Sequence, residues 1–305
     1  MKHIPVLLDE VVESLNLKKG GVYVDGTIGL GGHAQALANK VDCSLQIYGF
    51  DRDERVLKAV EAKNLNCVQT VHASYDQAYE ILREKEVEQV DGILLDLGAS
   101  SVQFDEPERG FSFKEGPLDM RFDVSRGNTA AEILNTYQKK DLARIIKEYG
   151  EEKFASRIAE RIVQQREVER FSSTTQLVKL VESAIPRRAW PKKIHPATKT
   201  FQALRIEVNQ ELEQLKSALP KLLQLLKPGA RIAIISFHSL EDRIVKRFFR
   251  EAEKSCICPK EFPVCRCDKK QMIKIISKKP ITPSKTEIKN NPRSRSAKLR
   301  VAERV

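Results

Sequence analysis

Through the first hundred residues, short apolar runs alternate with stretches whose apolar positions recur every three or four residues. The runs at 22–25, 47–51, 67–72 and 92–97 predict strands, and the periodic stretches 55–63 and 77–85 predict helices. Such alternation builds a parallel sheet with crossover helices. The rhythm then changes. Residues 99–128 are rich in Gly, Pro, Ser and charge, and residues 130–184 read as several helices with no strand, the pattern of an inserted helical domain. A basic, proline-punctuated stretch at 186–196 reads as a surface linker. Phe201, Leu204, Val208, Leu212, Leu215, Leu219, Leu222 and Leu226 predict one long amphipathic helix, bent at Pro220 and stopped by Lys227-Pro228-Gly229. Residues 231–237 form a buried-strand pattern, and 272–277 and 298–302 add two more strands. The expected organisation is a first sheet part at 1–104, a helical substrate-recognition insert at 105–200, and a second sheet part with a basic tail at 201–305.

A chain of 305 residues buries a substantial core without disulfide staples. No apolar run is long enough to span a bilayer, and residues 1–12 carry acids where a signal peptide needs an apolar stretch, so the expected location is cytoplasmic. The net charge of +11 is unevenly placed: residues 268–305 hold twelve Lys or Arg against three Asp or Glu. A strip with that surplus suits a polyanion such as RNA, although solvated charge that keeps a protein soluble has the same look.

The sharpest local signal is Asp25-Gly26-Thr27-Ile28-Gly29-Leu30-Gly31-Gly32-His33, after a predicted strand and opening a helix. Gly29, Gly31 and Ala34 fit the dinucleotide pattern G-x-G-x-x-A, which brings a nicotinamide enzyme into view. Charge argues the other way. A pyrophosphate sits poorly beside the carboxylate of Asp25, whereas the sulfonium of S-adenosylmethionine is attracted to it. Asp51 ends the second strand, where an acid accepts ribose hydroxyls in nucleoside-binding sheets or caps the next helix, a task Asp53 fills as well. Asp96 ends the fourth strand, and ligands of open α/β sheets sit outside the carboxyl ends of strands. Three acids therefore converge on one crevice.

The sequence resembles the small-subunit ribosomal RNA methyltransferase H family, nearly end to end. The resemblance rests on H-I-P-V-L-L-D-E at 3–10, D-G-T-I-G-L-G-G-H at 25–33, D-G-I-L-L-D-L-G-A-S-S at 91–101 and E-R-G-F-S-F-K-E-G-P-L-D-M-R at 108–121. It continues through H-P-A-T-K-T-F-Q-A-L-R at 195–205, I-S-F-H-S-L-E-D-R-I-V-K-R-F at 235–248 and N-P-R-S-R-S-A-K-L-R-V-A-E-R at 291–304. It implies an α/β class I (Rossmann-like) S-adenosylmethionine-dependent methyltransferase with an inserted all-helical domain, acting on the N4 amine of a cytidine in the decoding region of 16S ribosomal RNA. The implied partner is that RNA within the small ribosomal subunit, with no membrane involved, and a homodimer is compatible with it. Carried over by position, the methyl-donor contacts fall on Gly31, Gly32, His33, Asp51, Tyr75, Asp96 and Gln103. Tyr75 either packs on adenine or belongs to the core.

A cytosine amine is a poor nucleophile, because its lone pair is delocalised into the ring; the enzyme has to align the nitrogen and accept a proton. The acid-or-asparagine motif followed by two prolines that many amino-methyltransferases use is absent, and Asp96-Leu97-Gly98-Ala99-Ser100-Ser101 occupies its place. Asp119 and His238 are the candidate proton acceptors, each with a structural hydrogen-bonding role as the alternative. Arg187, Arg188, Lys192, Lys193 and residues 293–300 offer phosphate contacts. Trp190 or Phe111 offers a ring for an extruded base, and Trp190 serves equally as a linker anchor. Cys256, Cys258, Cys265 and Cys267 form a C-x-C, six residues, C-x-C array that either binds zinc or stays as reduced thiols in a surface hairpin. A methyltransferase for DNA or another RNA base shares every donor-site argument. A non-catalytic RNA-binding assembly factor explains the basic strip but not the acids.

Overall fold

The computed structural model describes residues 4–259 and 266–305. The chain divides into two compact units, residues 1–98 with 212–305, and residues 99–211. The elements in chain order are α1 (Leu8–Ser14), β1 (Gly21–Asp25), α2 (Gly32–Lys40), β2 (Leu45–Asp51), α3 (Glu54–Glu61), β3 (Val68–His72), α4 (Ala78–Glu84), β4 (Val90–Asp96) and α5 (Ser101–Asp105). They continue with α6 (Ala130–Thr136), α7 (Lys139–Glu148), α8 (Ala155–Val168), α9 (Thr174–Ala184), α10 (Thr198–Asn209) and α11 (Glu211–Leu225). The chain closes with β5 (Leu226–Ser236), α12 (Ser239–Glu253), β6 (Ile273–Ile275), α13 (Lys285–Asn290) and β7 (Lys298–Arg304).

The first unit is a seven-stranded sheet in the order β3-β2-β1-β4-β5-β7-β6. Strands β1 to β5 pair in parallel, and β7 runs antiparallel between β5 and β6. This is the class I methyltransferase arrangement that the resemblance implies. Successive residues of a strand face opposite sides. Ile93, Leu95, Ile232 and Ile234 accordingly join Leu215, Leu219, Leu222 and Phe249 in one core layer. Leu94, Ala233 and Ile235 face the other way, onto Val11, Leu37 and Leu57. Burying each such aliphatic side chain stabilises the sheet by about 1.5–3 kcal/mol, so strands covered on both faces read in the sequence as continuous apolar runs.

In the second unit the buried faces of α6 to α10 form a separate core around Leu142, Ile146, Ile158, Ile162 and Leu177. Thr129 and Ser173 cap α6 and α9 with full capping boxes, which explains where those helices start. The boundary expected at residue 200 falls inside α10, whose Phe201 and Leu204 are buried with the helical core. The single helix expected over 201–226 is two: Gln210 takes a left-handed φ of 52° and separates α10 from α11, while Pro220 lies inside α11. A positive φ at a residue other than glycine leaves no mark in a hydrophobic pattern. The basic tail is an integral part of the sheet, because β7 occupies an interior position. Cys43 and Cys67 are joined in a disulfide across a Cα separation of 5.7 Å, a cross-link the spacing did not predict.

Candidate active site

The parallel register sets the acids side by side. Asp25 pairs with Gly49 on β2 and Leu94 on β4, so Asp25, Asp51 and Asp96 end three neighbouring strands. The loop after β1 is tied to them by backbone hydrogen bonds. Gly29 N–H donates to Asp51 Oδ2 (3.0 Å), Thr27 N–H to Asp25 Oδ1 (3.2 Å), and Asp96 N–H to Thr27 Oγ1 (2.6 Å). Asp51 Oδ1 also takes the N–H of Asp53 (2.9 Å), whereas the cap of α3 is Asp53 itself. Thr27, which sequence reading passed over, is the clasp between β1 and β4; its signal was the residue that follows Asp25-Gly26.

Gly31 starts α2 with φ of 72°, a left-handed conformation that costs an L side chain about 1–2 kcal/mol. Gly32 lies so close to Pro5 that a Cβ there would collide with its ring. His33 is buried beneath this loop: Nε2 lies 2.9 Å from the carbonyl oxygen of Val6, and Nδ1 lies 3.7 Å from Asp96 Oδ2. A carbonyl accepts only, so Nε2 carries the proton and Nδ1 faces Asp96. Tyr75 is buried in the core with Phe50 and Leu95, behind the loop.

Asp25 is fully buried and Asp51 and Asp96 are half-buried, so all three acids are shielded from water. Burial raises the Asp25 carboxyl to about 7, offset by His33 and the Thr27 N–H and reinforced by Asp96 and Asp51. Burial likewise raises Asp96 to about 7, with Glu241 pushing in the same direction. Asp51 is raised by burial against the N–H groups of Asp53 and Gly29, and His33 is lowered by burial against the pull of Asp25. Asp96 Oδ1 is buried with no hydrogen-bond partner among the described residues. Buried carboxylate oxygens are normally satisfied. One that is not suits a ligand able to supply a donor or a positive charge.

Glu241 was missed by sequence reading. It stands in the first turn of α12, is 2% exposed, and accepts the N–H of Phe237 (2.9 Å) and of His238 (3.3 Å). His238, at the N-cap of α12, brings Nε2 to 3.1 Å from Glu241 Oε1. Ile235, two residues before Phe237, pairs with Asp96, so this His–Glu pair shares the carboxyl edge of the sheet with the acids. The clue was a spacing of three between a cap residue and a glutamate, which occurs on many ordinary helices.

The helical unit holds the other expected residues. Gln103 is buried, and its Oε1 accepts the N–H of Ser100 (3.0 Å). Asp119 is clamped through both oxygens by Arg121, at 3.0 Å from Nε and 2.8 Å from Nη2. Phe111 is 5% exposed and stacked on Phe122 with centroids 5.6 Å apart, so it is a core ring and not a surface for a base. Trp190 donates its indole N–H to the carbonyl of Ile185 (3.0 Å), which makes it the linker anchor. In the sheet unit Arg300, expected to meet phosphate, is 8% exposed and bound to Asp242 at 2.7 Å. Arg293 and Arg295 are exposed. Among the described residues, no helix is long and apolar enough to cross a membrane.

Residues 1–305 match the MraW methylase family. A ribosomal RNA small subunit methyltransferase H from Halothermothrix orenii is 48% identical, with 100% of this chain and 99% of the relative covered. Those named alike from Carboxydothermus hydrogenoformans and Caldicellulosiruptor bescii are 49% and 50% identical, covering 99% and 100% of this chain and 98% and 99% of the relatives. With the sheet order, the acid-rimmed edge and this likeness across its full length, the chain belongs to the MraW methylase family and is a class I methyltransferase.

Proposed function

We propose that this chain transfers a methyl group from S-adenosylmethionine to the exocyclic N4 amine of a cytidine in the decoding region of 16S ribosomal RNA, carried in the small ribosomal subunit. The observation that carries the reading is the surplus of buried acid at the sheet edge, with Asp96 Oδ1 lacking a partner. When bound, S-adenosylmethionine supplies an electrophilic methyl carbon on a cationic sulfur. Asp25 and Asp96 compensate that charge, and Asp51 receives the ribose hydroxyls while its N–H donors keep it fixed. Gly31 and Gly32 let the backbone close on the ligand, and His33 positions Asp96. Tyr75, held behind the loop, completes the set of donor contacts within the sheet unit.

His238 takes the proton that the amine releases, and the carboxylate of Glu241, 3.1 Å from Nε2, favours the imidazolium that forms. Asp119 acts through Arg121, as a positioning group in the substrate-recognition unit. Exposed Arg187, Arg188, Lys192, Lys193, Arg293 and Arg295 supply phosphate contacts. The test is tritium transfer from labelled S-adenosylmethionine to isolated small subunits, followed by mapping of the modified base. Label at a cytidine N4 near the decoding site, with His238→Gln lowering turnover at unchanged donor affinity, is the expected result. Label in another base or in free DNA alone, or calorimetric binding of NAD in place of the methyl donor, would overturn it.

A further inference from the structure

Between α12 and β6 the chain runs from 254 to 272 with no helix or strand among the described residues. Three cysteines converge there: Cys256, Cys258 and Cys267 bring their sulfurs within 4.8 Å of one another. Cys256 Sγ and Cys267 Sγ are 3.7 Å apart. A disulfide needs about 2.05 Å, so this pair is not bonded. Two thiolates on one tetrahedral zinc, each at about 2.3 Å, stand about 3.8 Å apart, which is the separation seen.

The backbone around the sulfurs fits the same reading. Cys258 N–H points at Cys256 Sγ (3.3 Å), Ile257 N–H at Cys267 Sγ (3.4 Å), and Arg266 N–H at Cys258 Sγ (3.3 Å). Among the described residues, each of these sulfurs thus faces an amide hydrogen. Such donors offset the negative charge that three thiolates bring to one ion, and they orient the ligands as outer-shell partners do. Lys254, Arg266, Lys269 and Lys270 add positive charge along the same segment. The geometry points to a structural zinc site in which Cys256, Cys258 and Cys267 supply three of the four ligands of one tetrahedral divalent d10 ion and staple the two arms of this excursion together. Cys265 lies outside the described residues, and the site stands on the other three.

The ion is structural because of where it sits. Cys256 follows the far end of α12, a 15-residue helix about 22 Å long whose opposite end carries His238. The full-length chain, purified in reducing buffer without chelator, is analysed for metal by mass spectrometry. About one zinc per chain is expected, falling to near zero in the double variant Cys256→Ser/Cys267→Ser and staying at about one in Cys43→Ser/Cys67→Ser. If the first variant does not fold, cobalt(II) added to metal-stripped native chain gives the answer, through the sulfur charge-transfer and tetrahedral d–d bands of thiolate-bound cobalt. A native chain with neither zinc nor cobalt bands overturns the site, as does zinc retained in Cys256→Ser/Cys267→Ser or a Cys256–Cys267 disulfide found by peptide mapping. S-adenosylmethionine affinity, measured with and without zinc, is expected to be unchanged, which separates this site from the methyl-donor reading.

Discussion

Charge is handled in opposite ways in the helical unit and at the carboxyl edge of the sheet. In the helical unit it is matched on the spot: Arg205 grips the buried Glu211 through both oxygens, and the half-buried Asp119 and Arg121 pair with each other. At the edge of the sheet unit four acids, Asp25, Asp51, Asp96 and Glu241, gather with two histidines. A buried charge matched by its neighbours holds a fold together, whereas a buried surplus destabilises the resting protein and is kept for a ligand of opposite sign.

The comparison breaks most sharply at Asn209. Its amide accepts the N–H of Phe122 (2.7 Å) and donates to the carbonyls of Met120 (2.7 Å) and Arg205 (2.9 Å), all buried or nearly so. Asn209→Ala strands those groups and should cost about 3 kcal/mol of unfolding free energy, read by urea denaturation. A neutral effect would mean that the matched network is dispensable. Asp96→Asn should do the reverse: it removes one of the crowded acids, leaves thermal stability at pH 7 the same or slightly higher, and weakens S-adenosylmethionine about 100-fold, or about 2.7 kcal/mol, by calorimetry.

Next in size is the effect of pH. Asp25 and Asp96 sit at about 7 in the folded chain against an ordinary value of 3.8. The folded state therefore binds more protons between those limits, and the stability they contribute is full below about pH 4 and lost as pH rises through 7. A sulfonium favours the ionised acids, so donor affinity should climb about tenfold between pH 6 and 8. The product, S-adenosylhomocysteine, whose sulfur is uncharged, should show a much flatter profile. Equal slopes for the two ligands would remove the charge argument. The smallest change is expected at the surface, where Arg293→Gln with Arg295→Gln should lower the salt slope of RNA binding by about two and leave donor affinity alone.

What could be read in the chain follows from the range of the interactions. The strands that end at Asp25, Asp51 and Asp96 were legible because strand burial writes a local apolar run and a turn follows directly. Glu241 was illegible because a cap pattern looks the same whether its glutamate is wet or buried, and only the packing of α12 against the sheet decides. Arg300 read as a phosphate ligand because its partner Asp242 lies 58 positions away on α12. The separation of α10 from α11 hid in one backbone torsion at Gln210. The pairing of Cys43 with Cys67 depends on how β2 and β3 lie together, which no spacing rule supplies.

The insertion point has a consequence for the order of folding. β4 and β5 are adjacent strands, yet Val90 meets Leu226 only after the entire helical unit has intervened. Closing an open coil of that length costs about 2 kcal/mol more than closing one eight times shorter. Were the helices to condense first, the effective tether would shorten and the two halves of the sheet would come into register at lower entropic cost.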